Sequence, residues 1–170
     1  GMFHLLTHAF FKALLFLAAG SIIHGCHEQQ DIRKMGGVLR GMPITSVLYL
    51  SGALALIGFP LTSGFFSKEG ILNGVFHFDS ALFWVCVAAS FLTVFYMARQ
   101  VLYVFGGSYR GDGHVHESKF GILAPMTVLA VFALAGGGLA PKFPLLAFLV
   151  PPDHHAAPSG GVLWISLGLV

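Results

Sequence analysis

The chain has 170 residues, of which 56% are hydrophobic and only 9% are Asp, Glu, Lys or Arg. Its mean hydropathy is +0.82. A water-soluble domain carries roughly 25% charged residues to solvate its surface, so that class is excluded, and with it disorder, collagen and disulfide scaffolds. The net charge of +2 is small and scattered, which excludes nucleic acid as a partner, and two cysteines, Cys26 and Cys86, make no framework.

Charges cluster in short loops, leaving apolar runs of about 20 residues, long enough to cross a hydrocarbon core. The first run covers residues 2–23 and stops at HGCHEQQDIRKMGG. The second starts at Pro43 or Ile44, proline being tolerated in a first helical turn, and stays apolar to residue 72. That exceeds what one bilayer crossing needs. The segment GFPLTSG supplies an interruption: Pro60 removes a backbone donor, and Gly58 and Gly64 permit non-helical dihedrals on either side. A discontinuous helix over 44–72, broken near 58–64, is predicted. Further spans are expected at 81–105 and 120–139, followed by a short apolar piece at 145–150, the loop PPDHHAAPSGG and a last span at 162–170. The predicted fold is all-α, a polytopic transmembrane helix bundle with one discontinuous helix.

Both ends lie inside apolar runs, without the basic segment or cleavage site of a signal peptide, so the expectation is an internal piece of one larger membrane domain. Arg33, Lys34, Arg40, Arg110 and Lys119 lie on one side of the spans, against Lys142 and Lys68 on the other. The positive-inside tendency then orients the first span from outside to inside.

His4, His8 and Lys12 follow at four-residue intervals within the first span, with Thr7 bordering their face. On a helix they form one stripe, each about 6 Å above the next. A lysine inside a membrane helix costs about 2.5–3.5 kcal/mol on insertion scales, and such residues commonly mark an ion path. Histidine titrates near neutrality. A step of about 6 Å exceeds a direct hydrogen bond, so a relay along the stripe requires water. The plainer alternative is that each histidine bonds a neighbouring helix. Paired histidines at this spacing also suit zinc, but no third ligand accompanies them.

Lys68, in SGFFSKEG, allows two readings. Counted from Ile44 on an unbroken helix it is an interfacial, snorkelling lysine; on a broken helix it lies at depth, where transporters build ion sites. Glu69 either tunes its charge or caps the helix. Arg99 reads as an interfacial anchor. His114, His116, His154 and His155 read as loop residues, as do His24, Cys26 and His27, which lack a fourth metal ligand at suitable spacing. Gly136 to Gly138 permit close helix packing.

Taken together, FHLLTHAFFKALLFLAAGSIIH, EQQDIRKMGG and GFPLTSGFFSKEGIL resemble, in order and spacing over residues 2–72, the C-terminal half of the largest antiporter-like membrane subunit of respiratory complex I, called L in bacteria and chain 5 in mitochondria. Beyond residue 72 the resemblance rests on hydropathy and on FLTVFYMAR. It implies a proton-translocating subunit without a redox centre, coupled to quinone reduction elsewhere, with NADH, FMN, iron–sulfur clusters and quinone held by other subunits. In that family the stripe matching His4, His8 and Lys12 belongs to a hydrated axis, and the lysine matching Lys68 is the terminal proton-transfer residue. Where family members often carry an Asp-Glu pair after this lysine, the chain has Glu69 and Gly70, and the family's glutamate–lysine pair lies outside it. The implied partners are other complex I membrane subunits, the lipid bilayer and protons, with sodium as the alternative ion. The implied location is the bacterial cytoplasmic membrane, or the mitochondrial inner membrane. The large subunit of a multisubunit sodium/proton antiporter or of a membrane-bound hydrogenase is the alternative. A passive anchor gains nothing from cationic groups inside its spans.

Overall fold

The computed structural model describes residues 2–111 and 113–139, together with Ile165 and Gly168. The expected elements from residue 140 onward, with Lys142, His154 and His155, therefore lie outside the described residues apart from those two positions. The described residues form six helices: α1 (Met2–Gly25), α2 (Val38–Gly41), α3 (Pro43–Ile57), α4 (Ser63–Phe78), α5 (Ser80–Phe105) and α6 (Phe120–Leu139). Of these, α1, α5 and α6 are long and apolar enough to cross a membrane unaided.

The bundle is organised around α1, which packs most extensively on α3 and α6. Phe11, Leu14, Ala18 and Ile22 recur every three or four residues and are buried, so α1 presents one continuous stripe to the core. The stripe meets Leu48, Tyr49 and Ala53 of α3, Met97 and Val104 of α5, and Met126, Ala130 and Ala133 of α6. Small residues at these contacts let the backbones approach, the usual source of helix association where lipid is as apolar as the side chains. By contrast α5 buries only Phe83, Met97 and Val104 and turns Trp84, Phe91, Phe95 and Leu102 outward, as a peripheral membrane helix does. Pro125 sits within α6 without ending it, a tolerance common in membrane helices.

The discontinuous helix is the pair α3 and α4. At 15 residues, α3 rises about 22 Å, short of the roughly 30 Å of a hydrocarbon core, so α3 alone does not cross it. Its termination is a Schellman arrangement: Gly58 adopts φ 83°, its N–H bonds Ala55 O at 3.2 Å, and Phe59 N–H bonds Leu54 O at 2.9 Å. Pro60 and Leu61 cross the gap. Leu61 has φ 73°, a left-handed backbone that a leucine adopts only under constraint. Thr62 then caps α4, accepting from Phe65 N–H at 3.4 Å and donating to Phe59 O at 2.7 Å. Gly64 departs from expectation. It lies inside α4 with helical neighbours rather than in the break, and its role is approach: a Cβ there would collide with the carbonyl oxygen of Ala55. On the far side Ser63 Oγ donates to Ala133 O of α6 at 2.6 Å. The first turn of α4 is thus clamped between α3 and α6.

At the Gly25 end, the loop before α6 closes the bundle through one carboxylate. Glu117 accepts from Ile44 N–H at 2.9 Å, Thr45 N–H at 3.3 Å and Thr45 Oγ1 at 2.5 Å, so it caps the start of α3 from a distant part of the chain. Ser21 bonds both Thr45 and Ser118 beside it. Partial burial alone would push the Glu117 carboxyl up, but the Thr45 hydroxyl and the N–H groups of Ser118, Thr45 and Ile44 outweigh it and hold the group below its ordinary value of 4.5.

Candidate functional site

A cavity of about 430 Å³ lies between α1, α3, α4 and α5 and is lined by His4, His8, Lys12 and Lys68, with Thr93, Tyr96 and Gln100 opposite. All four residues singled out by spacing therefore face one space. His4, His8 and Lys12 reach it as successive turns of α1; the His4 and His8 rings stand 5.8 Å apart, centre to centre. His8 also packs edge-on against Phe11 at 5.2 Å. Lys12 is exposed and stands at the cavity's open flank.

Lys68 arrives from the other wall. Its amine donates to Ile57 O at 3.3 Å, the last carbonyl of α3, so the side chain turns back into the break. No ion pair joins it to Glu69: the only salt bridge among the described residues is His24 with Glu28 at 3.4 Å. Glu69 is buried, and its Oε1 has no hydrogen-bond partner among the described residues.

Between the two walls stands a contact that spacing did not reveal. Ser67 Oγ lies 3.0 Å from His4 Nδ1 and accepts from Thr7 Oγ1 at 3.1 Å, so α1 and α4 are joined beside Lys68 by a buried polar bridge. The α5 contribution had a signal: Thr93, Tyr96 and Gln100 recur at three- and four-residue steps within an otherwise apolar span. Arg99, one residue from Gln100, is exposed and stacks over Tyr103 at 5.7 Å, away from the cavity.

Four further histidines gather at the Gly25 end, while His77 packs edge-on against Phe76 in the last turn of α4. The His116 ring lies 5.8 Å from that of His24 and 6.0 Å from that of His27, and His27 bonds His114 O at 3.2 Å. Among the described residues no group of three His, Cys, Asp or Glu side chains is placed to share a metal ion. Cys26 is buried and forms no disulfide.

Such an arrangement can pass protons: amines and imidazoles facing one space, spaced so that water rather than direct contact must join them. A family described as NADH:quinone oxidoreductase/Mrp antiporter, TM, matches residues 1–93. That is more than half of the 170 residues and includes His4, His8, Lys12 and Lys68. The chain belongs to this family. NADH-quinone oxidoreductase subunit L of Campylobacter jejuni is 47% identical over 136 residues, covering 78% of this chain and 23% of its own length. NADH-ubiquinone oxidoreductase chain 5 of Acanthamoeba castellanii is 44% identical over 143 residues, or 78% of this chain and 21% of its own length. F(420)H(2) dehydrogenase subunit L of Methanosarcina mazei is 43% identical over 149 residues, 81% of this chain and 22% of its own length. The chain thus spans less than a quarter of the length of each of these three relatives.

Proposed function

We propose that this chain is part of a proton-translocating membrane subunit of an NADH:quinone oxidoreductase, carrying protons through a relay of His4, His8, Lys12, water and Lys68. The observation that carries the reading is the convergence of these four side chains, from α1 and from the broken helix, on one cavity. The chain itself holds no redox group on this reading. Electron transfer from NADH through FMN and iron–sulfur clusters to quinone takes place in other subunits, and the partners of this chain are neighbouring membrane subunits and lipid. Its place is the bacterial cytoplasmic membrane or the mitochondrial inner membrane, with the Gly25 end of α1 on the side richer in Lys and Arg.

The coupling is electrostatic. At an effective dielectric of about 20, two unit charges about 8 Å apart interact by roughly 2 kcal/mol, enough to shift a protonation equilibrium more than tenfold. A charge arriving next to Lys12 displaces its proton toward the histidines, water carries it past His8 and His4, and Lys68 receives and releases it.

Two observations keep neighbouring readings alive as alternatives of the same class. The family's description includes the Mrp antiporters. The Methanosarcina mazei relative takes its name from F(420)H(2) rather than NADH, so the electron donor is a property of other subunits. The deciding experiment places Lys12→Ala and Lys68→Ala separately in the full-length protein, within the assembled complex in sealed vesicles, and measures protons moved per quinone reduced. A fall in that ratio with assembly retained is expected. An unchanged ratio, or losses of assembly equal to losses of pumping, would overturn the proposal.

A further inference from the structure

Ser67 lies at a junction where each hydroxyl has more acceptors than protons. Its Oγ is 3.0 Å from His4 Nδ1 and 3.2 Å from Gly64 O. Thr7 Oγ1, likewise, is 3.1 Å from His4 O and 3.1 Å from Ser67 Oγ. Both residues are 2% exposed, so bulk water does not make up a missing partner. A hydroxyl has one proton to give and two lone pairs to offer. The junction therefore has two complete patterns, selected by whether His4 Nδ1 carries hydrogen.

With hydrogen on Nδ1, His4 donates to Ser67 Oγ, and the Ser67 O–H turns to the Gly64 carbonyl while Thr7 rests on its own helix at His4 O. With Nδ1 bare, the Ser67 O–H turns to the imidazole, Thr7 donates to Ser67 Oγ, and Gly64 O loses its second donor. Gly64 O is the carbonyl that α-helical geometry assigns to the backbone N–H of Lys68, and a hydroxyl bonding such a carbonyl perturbs the helical turn around it. Gly64 is also the residue pressed against Ala55 of α3. We infer that Ser67 is a positioning residue through which the proton state of His4 is transmitted to the first turn of α4, and so to Lys68. No covalent bond changes; only the hydrogens of Nδ1, Ser67 and Thr7 change partners.

This inference rests on the proposed relay. The other titratable groups facing the cavity among the described residues are His8 and Lys12 of α1, Lys68 of α4, and Tyr49 and Tyr96 of α3 and α5, while Glu69 follows Lys68 on α4. The test is the pH profile, across about pH 5–9, of protons moved per quinone reduced by the intact complex in sealed vesicles. Wild type is compared with Ser67→Ala, Ser67→Thr and Thr7→Val. Ser67→Ala removes the partner of His4 Nδ1 in both patterns but the bond to Gly64 O in only one, and that one-sided loss is expected to displace its profile by about one pH unit. Ser67→Thr, which keeps the hydroxyl, should return it to the wild-type position, and Thr7→Val should displace it by less than Ser67→Ala. A Ser67→Ala profile that superimposes on wild type, in a complex whose pumping Lys68→Ala abolishes, overturns the role of Ser67 and leaves the relay standing. Pumping that survives both lysine substitutions removes the relay and this inference together. If Ser67→Ala fails to assemble, an undisplaced Thr7→Val profile overturns the inference by itself.

Discussion

The amine of Lys68 donates to the main-chain carbonyl of Ile57 at 3.3 Å, across the interruption between α3 and α4. The side chain thus reaches back into the break instead of along its own helix toward Phe78. Nothing else in the break depends on this contact, since Gly58 and Thr62 end and begin the two helices through their own hydrogen bonds.

That independence separates a functional lysine from a structural one. Lys68→Met replaces a half-buried amine holding one hydrogen bond with an apolar chain of similar length, which removes the cost of burying a charge and forfeits about 1 kcal/mol of hydrogen bonding. Thermal unfolding of the full-length protein in detergent should show stability held or raised, with proton translocation lost. A destabilisation above about 2 kcal/mol would make Lys68 a structural residue instead.

Gly64→Ala should act in the opposite way. The added methyl meets the carbonyl oxygen of Ala55, a backbone atom that cannot rotate aside. Overpacking of this kind costs about 1–3 kcal/mol and would push the first turn of α4 off α3. Gly74→Ala, where a Cβ meets nothing within 4 Å, is the matched control and should leave thermal stability unchanged or slightly raised. Equal effects at both positions would refute the clamp at Gly64.

Glu117 gives a pH prediction. Its folded-state value is depressed below 4.5 by the donors of Thr45, Ser118 and Ile44. A depressed carboxylate contributes stability that is fully present above 4.5 and is lost as pH falls through the folded-state value. The Tm of the full-length protein should therefore decline below pH 4.5 more steeply than that of Glu117→Gln. The two curves should approach each other at the acid end. Parallel curves would mean that Glu117 does not cap α3 in its charged form.

Gln100 and Arg99 are sequence neighbours that leave α5 about 100° apart, Gln100 toward the cavity and Arg99 over Tyr103. Gln100→Leu removes a polar group from the cavity wall and should slow proton translocation with assembly retained, whereas Arg99→Ala should leave the rate unchanged. The measurement is the rate of proton uptake by vesicles at fixed quinone reduction. The reverse ranking would place the path on the far side of α5.

Much of the architecture was legible because in membranes length and composition nearly determine which segments are helices. The break was legible from Pro60 and Gly58, and the stripe of His4, His8 and Lys12 from its four-residue step. What escaped was tertiary. Ser67 reads as an ordinary small residue until α1 is laid beside α4. Glu117 reads as a loop acid until its loop is brought back over Ile44 and Thr45. Gly64 was legible as necessary but for the wrong reason, since the sequence does not say whether a glycine is kept for its dihedrals or for the space beside it. Leu61, 81% exposed in a left-handed conformation, carries no local signal.

The interruption of residues 58–62 also has an electrical meaning. Helix α3 ends at Ile57 with the negative pole of its aligned peptides, and α4 begins at Ser63 with a positive one, each equivalent to about half an elementary charge. The two poles face the break from either side, the negative one next to the Lys68 amine. A cation is therefore welcome against Ile57, where the Lys68 amine is found, and repelled from the first turn of α4. The break thus carries a fixed preference for positive charge at Ile57 over the start of α4, one that needs no moving part.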